Sequence, residues 1–341
     1  MRTDPREAAK HLNVAPLSPL EPPTEVLPFR CSCTLLKKGH SKEDALGFAR
    51  YGLYTRIRWT GKNMFRDDSD ASWDKWGKQN PYFGVLTDDK FRRENITEES
   101  KSEVLATGRV HIQRILSMAI SHFGEISRHS ALDFGCGVGR LVIPLATEFE
   151  HVTAVDVSLG MLETAKQNCS DRGIRNVDFV QSDDRLSQVT RSFDFIHSYL
   201  VFQHITVRRG AEIITHLLKR LNDEGVLAIH FPFACKHSVI RKFAHLLRRN
   251  FSPFSMLANI VRAKRWNEPF MQMNCYDVNS VLASISGCGI KDVFLEVVDA
   301  GGFISAFVLA KKPKDPLGKI QGKHLWAADL NPHTQNVPAN D

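Results

Sequence analysis

The stretch Ala131-Leu-Asp-Phe-Gly-Cys-Gly-Val-Gly-Arg140 decides how this chain is read. Ala131–Phe134 has the mostly apolar character of a short buried strand; it stops in glycines, and Val138–Ala146 then carries a helical pattern. A strand that ends in glycines before a helix lets a ligand approach the backbone closely and meet the free N–H groups of the helix N-terminus. Gly135, Gly137 and Gly139 stand two apart. A dinucleotide fingerprint would place its third glycine at position 140, where the chain has Arg140, so the pattern speaks against a nicotinamide cofactor.

Two acids follow at telling places. Asp156 ends a second apolar run, Val152–Val157, where a doubly wound fold puts a carboxylate that accepts hydrogen bonds from ribose hydroxyls. Ser158, rather than Asp156, is the better cap for the helix that follows. Asp183 comes after a third run, Val177–Val180, where it is placed to meet an adenine edge; its neighbour Asp184 and a plain solvated loop acid are the alternatives.

The alternation continues outward. Helical periodicity marks Ser102–Phe123 before the loop, and Leu159–Asn168 and Ala211–Leu221 after it. Phe193–Ser198 and Gly225–Phe231 read as fourth and fifth strands. Such alternation gives a parallel sheet with right-handed crossovers, covered by helices on both faces. The end differs: Val293–Val298 and Phe303–Leu309 flank Asp299-Ala-Gly-Gly302, the spacing of an antiparallel hairpin.

These residues carry a resemblance. Ala131–Arg140, Val152–Val157, Val177–Asp183 and Ser192-Phe-Asp-Phe-Ile-His-Ser198 resemble the ordered motifs of class I S-adenosylmethionine (SAM)-dependent methyltransferases, over about residues 102–312. The resemblance implies an α/β, Rossmann-like, seven-stranded mostly parallel sheet with a C-terminal antiparallel hairpin. It implies SAM as cofactor, with Asp133 and the loop glycines Gly135, Gly137 and Gly139 on its methionine part, Asp156 on the ribose and Asp183 on the adenine. Upstream, Trp73-Asp-Lys-Trp-Gly-Lys-Gln-Asn-Pro-Tyr-Phe-Gly-Val85 and Thr107-Gly108 resemble the lead-in of some bacterial small-molecule methyltransferases, which tends to cover cofactor and substrate. Simple packing of Trp73, Trp76 and Tyr82 on the domain is the other reading.

The organisation expected from this is a flexible lead-in over 1–50, an N-terminal cap and helix over 51–130, and the methyltransferase domain over 131–312. A basic helical insertion or lid occupies 236–273, and a disordered tail 313–341. Prolines crowd the first 28 residues, in keeping with an irregular start.

Methyl transfer from a sulfonium needs an acceptor held in line and shielded from water, and an oxygen acceptor gains from a base. His204 and His230, near the carboxyl ends of strands four and five, are the candidate catalytic bases, with local structural bonding as the alternative for each. Tyr199 and Gln203 could orient a substrate, whereas Asp194 reads as a strand-start residue.

Charge bears on the acceptor. The 341 residues carry a formal net charge of +7. Between Gly225 and Asn267 there is no Asp or Glu, and Lys236, Arg241, Lys242, Arg248, Arg249, Arg262, Lys264 and Arg265 give +8. Apolar residues recur at helical spacing around them, which reads as two basic amphipathic helices. The acceptor expected is a small molecule of anionic or lipid-linked kind, with peripheral membrane contact through 236–265. No run is apolar enough for a span, the seven cysteines read as ordinary reduced thiols, and a cytoplasmic setting is expected. Cys31-Ser-Cys33 has poor spacing for zinc. Two alternatives stand. One is a nucleic-acid methyltransferase, suggested by Asn80-Pro-Tyr-Phe83 and the basic charge; the other is a non-catalytic interaction protein on the same fold.

Overall fold

In the computed structural model, residues 69–238, 245, 247–248, 252–261, 265–300 and 302–314 are described. The readings for 1–68, the zinc question at Cys31 and Cys33, most of the first basic helix and the tail beyond Lys314 lie outside them.

Seven strands form one sheet: β1 (Ser130–Phe134), β2 (His151–Asp156), β3 (Val177–Gln181), β4 (Phe193–Ser198), β5 (Leu221–Cys235), β6 (Asp292–Ala300) and β7 (Phe303–Lys311). Their order is β3-β2-β1-β4-β5-β7-β6. Neighbours among the first five pair in parallel. β7 is antiparallel to β5 on one side and to β6 on the other, so it alone runs against the rest. The expected hairpin is present, and its second strand fills the inner position of the sheet.

The helices are α1 (Ser69–Gln79), α2 (Pro81–Val85), α3 (Glu98–Phe123), α4 (Val142–Glu148), α5 (Leu159–Ser170), α6 (Val207–Lys219), α7 (Ser252–Val261) and α8 (Val278–Gly287). α3 begins four residues before the periodicity suggested, because Thr97 and Ser100 form a reciprocal cap there. α4 begins four residues late, since the chain from Gly139 to Leu141 is still turning. α6 likewise starts earlier than read, after Thr206.

Side chains alternate across each strand, and the two faces bury separate cores. Leu132, Ile196, Leu227, Ile229 and Val308 pack with Ile213, Leu217 of α6 and Ile285 of α8. Ala131, Phe195, Ala228, Phe307 and Leu309 pack under Ile112, Ile115 and Ala119 of α3 and Leu162 and Ala165 of α5. Phe195, Phe231 and Phe307 are essentially inaccessible to solvent. Each contributes about 1.5–3 kcal/mol relative to exposure. A third cluster, Trp76, Tyr82, Phe83, Phe91, Val104, Val138 and Met161, fastens the N-terminal cap to the domain.

α3 crosses the end of the glycine loop at Gly108. A Cβ there would lie 1.9 Å from the Arg140 carbonyl oxygen, a backbone atom that cannot swing aside. At Gly287, near the end of α8, a Cβ would meet nothing within 4 Å. Gly108→Ala should therefore destabilise the protein by about 1–3 kcal/mol, while Gly287→Ala is neutral or slightly stabilising. Urea unfolding of the pair checks this, and equal midpoints would refute the close crossing.

Candidate functional site

The chain leaves β1 with Gly135 N and Cys136 N both donating to the Val155 carbonyl of β2, at 2.7 and 3.0 Å. Gly135, Gly137 and Gly139 then take φ values of +75°, +53° and +82°, open to glycine and strained for other residues. A Cβ on Gly135 would also strike Val201, 2.3 Å away. The loop is thus folded back over the ends of β1, β2 and β4, where a cavity of about 810 Å³ opens.

Asp156 lies in the floor of this cavity. Its Oδ2 accepts from Gly137 N and its Oδ1 from Ser158 N, both at 2.9 Å. Ser158 is the cap of α5, its Oγ accepting from Met161 N, as its sequence position suggested. Burial raises the Asp156 carboxyl to about 6, against the Ser158, Gly137 and Val157 amides, which favour its charged form. Two carboxylate oxygens offer about four acceptor positions between them, so these amides do not use up the acceptor capacity of the group. Donors on adjacent atoms, as in a vicinal diol, suit the capacity that is left.

Among the residues read from the sequence, Gly135, Gly137, Asp156, Asp183 and His204 line the cavity. The Asp183 side chain is occupied by its own turn: it accepts from Arg185 N, Ser187 N and the Ser187 hydroxyl. Asp184, also in the wall, pairs with Arg209, which bridges to Asp70 of α1. That cluster ties the cap to the cavity rim.

Three expected residues do not line the cavity. Gly139 faces α5, where a Cβ would sit 3.2 Å from the Ala165 Cβ, so its place is helix packing. Asp133 is 1% exposed and bonds His197 Nδ1 at 2.9 Å. His230 is buried beside Tyr199 and Phe307, with Nδ1 unpartnered. Strand alternation explains all of this: Asp133, His197 and His230 share the face of Ala131, Phe195 and Ala228, beneath α3. His111 of α3 completes the group, its Nε2 3.1 Å from that of His197 and its ring stacked on Tyr199 at 4.0 Å. Burial and then His197 push the His111 ring down to about 2, so it is neutral and one proton lies between the two Nε2 atoms. The position read for His230 as a base is thereby corrected: its side chain points under the helix, and burial lowers it to about 4.

His204 does reach the cavity. Its Nδ1 donates to the Gln272 carbonyl at 2.8 Å, which fixes the tautomer and leaves the Nε2 lone pair, 3.0 Å from Gln203 Nε2. Its ring lies 4.8 Å from that of Trp73. Burial lowers it to about 4. Trp73, Val201, Ile205, Met271 and Met273 make this end of the cavity apolar. The segment bearing the methionines is held by the Asn274 amide donating to the Gln203 carbonyl at 2.7 Å. Trp76 and Tyr82 pack in the cap core, and Trp73 packs against that core while also lining the cavity.

Arg140 entered the sequence reading only as the residue that breaks a dinucleotide pattern. It lines the cavity at 6% exposure. Its Nη1 reaches Thr107 Oγ1 at 3.4 Å, its guanidinium lies 5.7 Å from the Tyr199 ring, and its Nε has no partner. Burial lowers its pKa. Among the described residues it has no carboxylate in ion-pair contact. Asp133 Oδ2, on the other side of the loop, is likewise buried without a partner. Nothing in the local sequence announces a cation buried in the lining of the cavity.

Residues 131–225 match the family model for a methyltransferase domain. Over that stretch the chain is similar to a methyltransferase domain. It is similar to the ubiquinone biosynthesis O-methyltransferase of Rickettsia canadensis, 27% identical over 120 residues, 35% of this chain and 50% of that protein. It is also similar to the malonyl-[acyl-carrier protein] O-methyltransferase of a Paenibacillus species, 33% identical over 109 residues, 30% and 39% of the two chains. The match spans half or less of these relatives' length. Among solved structures, the magnesium protoporphyrin IX methyltransferase of Synechocystis is 16% identical at a TM-score of 0.46, covering 72% of this chain and 97% of that one. The methyltransferase domain spans the loop, Asp156, Asp183 and His204; Trp73, Met271 and Met273 come from outside the matched residues.

An isolated buried cation weakens the free protein. Arg140→Met, which keeps the volume and removes the charge, should leave thermal stability equal or raise it by about 1 kcal/mol or more. A fall in melting temperature by calorimetry would show that Arg140 is a structural support.

Proposed function

We propose that this protein is a SAM-dependent methyltransferase acting on a small acceptor of anionic or lipid-linked kind. The observation that carries the reading is Asp156, a buried carboxylate aimed by the Gly137 and Ser158 amides, with acceptor capacity to spare, in the lining of the cavity. That capacity suits the hydroxyls of a ribose. The unpartnered Nε of Arg140, which lines the cavity, suits the carboxylate of an amino-acid end, so the residues present fit SAM. When bound, SAM supplies a methyl group on a positively charged sulfur. The remaining work belongs to the protein: Asp156 and the loop fix the cofactor, and Asp183 with Ser182 edges the adenine side through the backbone. Trp73, Met271 and Met273 exclude water from the acceptor end.

His204 is the base in this reading. Its tautomer is set by Gln272, and Gln203 holds its free nitrogen until an acceptor replaces it. A ring lowered to about 4 is a weak base, which favours an acidic hydroxyl or carboxyl as acceptor over an aliphatic alcohol. The named relatives methylate through oxygen by their titles, in keeping with this. We further propose that residues 236–265 contact a membrane, from which a lipid-linked acceptor is drawn, in a cytoplasmic setting. No described helix is long and apolar enough to cross a bilayer, and the described cysteines are free. The nucleic-acid alternative loses its motif: Asn80 is buried, its Oδ1 accepting from Arg93 N, and it does not line the cavity.

Calorimetric titration with SAM tests the cofactor. Micromolar binding at pH 8 is expected, abolished by Asp156→Ala, with NAD inert; no binding by folded protein would overturn the reading. The pH dependence has a definite sign. Asp156 binds a diol best when charged and sits at about 6 in the free protein, so affinity should hold above pH 6 and fall about tenfold by pH 5. Its contribution to folding has the opposite trend: a raised carboxyl favours the fold at low pH, and that contribution is lost as pH rises from about 4 through 6. With an acceptor in hand, His204→Ala should lower kcat by about 10²–10⁴ while SAM affinity is unchanged.

A further inference from the structure

α7 is built inside out. At about 100° per residue, Met256, Ile260, Pro253, Leu257, Val261 and Phe254 occupy one continuous arc of roughly 160°. All six are exposed: Leu257 is 57%, Ile260 59% and Val261 80% open to solvent. The opposite side carries Ser255 and Asn259, at 5% and 2%. Asn259 is held in place by polar bonds, its Oδ1 accepting from Arg248 Nη2 at 2.8 Å and its Nδ2 donating to the Glu268 carbonyl at 2.9 Å. A helix folding for its own domain would turn the apolar side inward. Here polar bonds hold the polar side in and leave the apolar side outside, with Trp266, 56% exposed, just beyond its end. Six of the eleven large apolar side chains exposed among the described residues lie in these few turns.

We infer that this face of α7 is a docking surface for an anionic lipid bilayer. Charge selects that occupant. The sequence brackets the helix with Arg249 on one side and Arg262, Lys264 and Arg265 on the other, with no acid between Gly225 and Asn267. Arg265 is 62% exposed and meets Glu94 only at 3.4 Å, a surface pair of small energy. An apolar arc between basic ends is the pattern of a helix lying in the plane of an anionic interface, and a Trp beside it suits the headgroup level.

The inference rests on the proposed methyltransferase reading and gives it a direction. α7 follows β5, at the carboxyl end of the sheet where the cavity opens. The segment after it is fixed to the cap by Arg92–Glu268 at 3.0 Å and by Lys75 donating to the Asn267 carbonyl at 2.6 Å. A few residues on, Met271 and Met273 line the cavity. One stretch of chain therefore joins the exposed apolar face to the acceptor wall. A lipid-linked acceptor drawn from the bilayer would pass along protein rather than through water.

Vesicle flotation with the full-length protein tests this, using phosphatidylcholine alone and with 30 mol% phosphatidylglycerol as an order-of-magnitude anionic surface like that of natural leaflets. The protein should float with the anionic vesicles, far less with the neutral ones, and lose binding as salt rises. Leu257→Ser/Ile260→Ser should weaken anionic-vesicle binding about tenfold or more. Its thermal midpoint and SAM affinity should stay as in the wild type, since neither residue lines the cavity. Failure of the wild type to bind anionic vesicles, or equal binding by the double variant, overturns the docking surface. A dimer in light scattering that the same variant dissociates also overturns it, by naming a second copy as the occupant. SAM titration of the same sample reports separately on the methyltransferase reading.

Discussion

Two backbone amides meet on one carboxylate, and the cavity is organised by that meeting. Gly137 N comes from the loop after β1, Ser158 N from the turn after β2, and Asp156 receives both. The bonds join two crossover connections that the sheet itself only brings side by side. They require glycine conformations in the loop, a carboxylate at the last position of β2, and α5 starting at once after Ser158. Burial works against the charge, and raises the carboxyl to about 6, but the amides keep its oxygens aimed. The cavity is thus tied down by backbone bonds at this end, and its wall elsewhere is supplied by longer-range pieces of chain.

This division explains what could be read beforehand. The loop, Asp156 and the strand order follow from local patterns: apolar runs, glycines, and an acid at a fixed place. The hairpin also follows from its short spacer, although only the pairing of β7 with β5 shows which strand goes inside. Arg140, Trp73 and Met271 are brought together across long separations, and a local pattern holds no record of that. His230 was misplaced for a simpler reason. Its distance along the strand was read, but not its parity, and parity would have put it with Ala228 under α3 rather than in the cavity. Asp183 stands at the expected place, yet its side chain is satisfied by Arg185 and Ser187 before any ligand arrives.

Among the described residues, a buried polar row under α3 reaches the cavity only through Tyr199 and Arg140. Asp133, His197 and His111 form a connected row, with His111 stacked on Tyr199 and Tyr199 near Arg140. Each link costs desolvation that an apolar core would avoid, and each is met by a partner except Asp133 Oδ2 and Arg140 Nε.

The inner position of β7 has a consequence for how the chain comes to be folded. A ribosome delivers β1 to β5 first, and together with their helices they include every residue of the matched methyltransferase domain. Until residues 303–311 emerge, however, β5 presents an unpaired edge rich in Val226, Leu227, Ile229 and Phe231. β6 cannot cover that edge by itself, because it joins the sheet only through β7. The nascent protein must therefore hold an open, apolar strand edge while the residues between β5 and β7 are made, the kind of edge on which chains mispair with one another. Closure comes in a single late step, when the hairpin inserts as a unit.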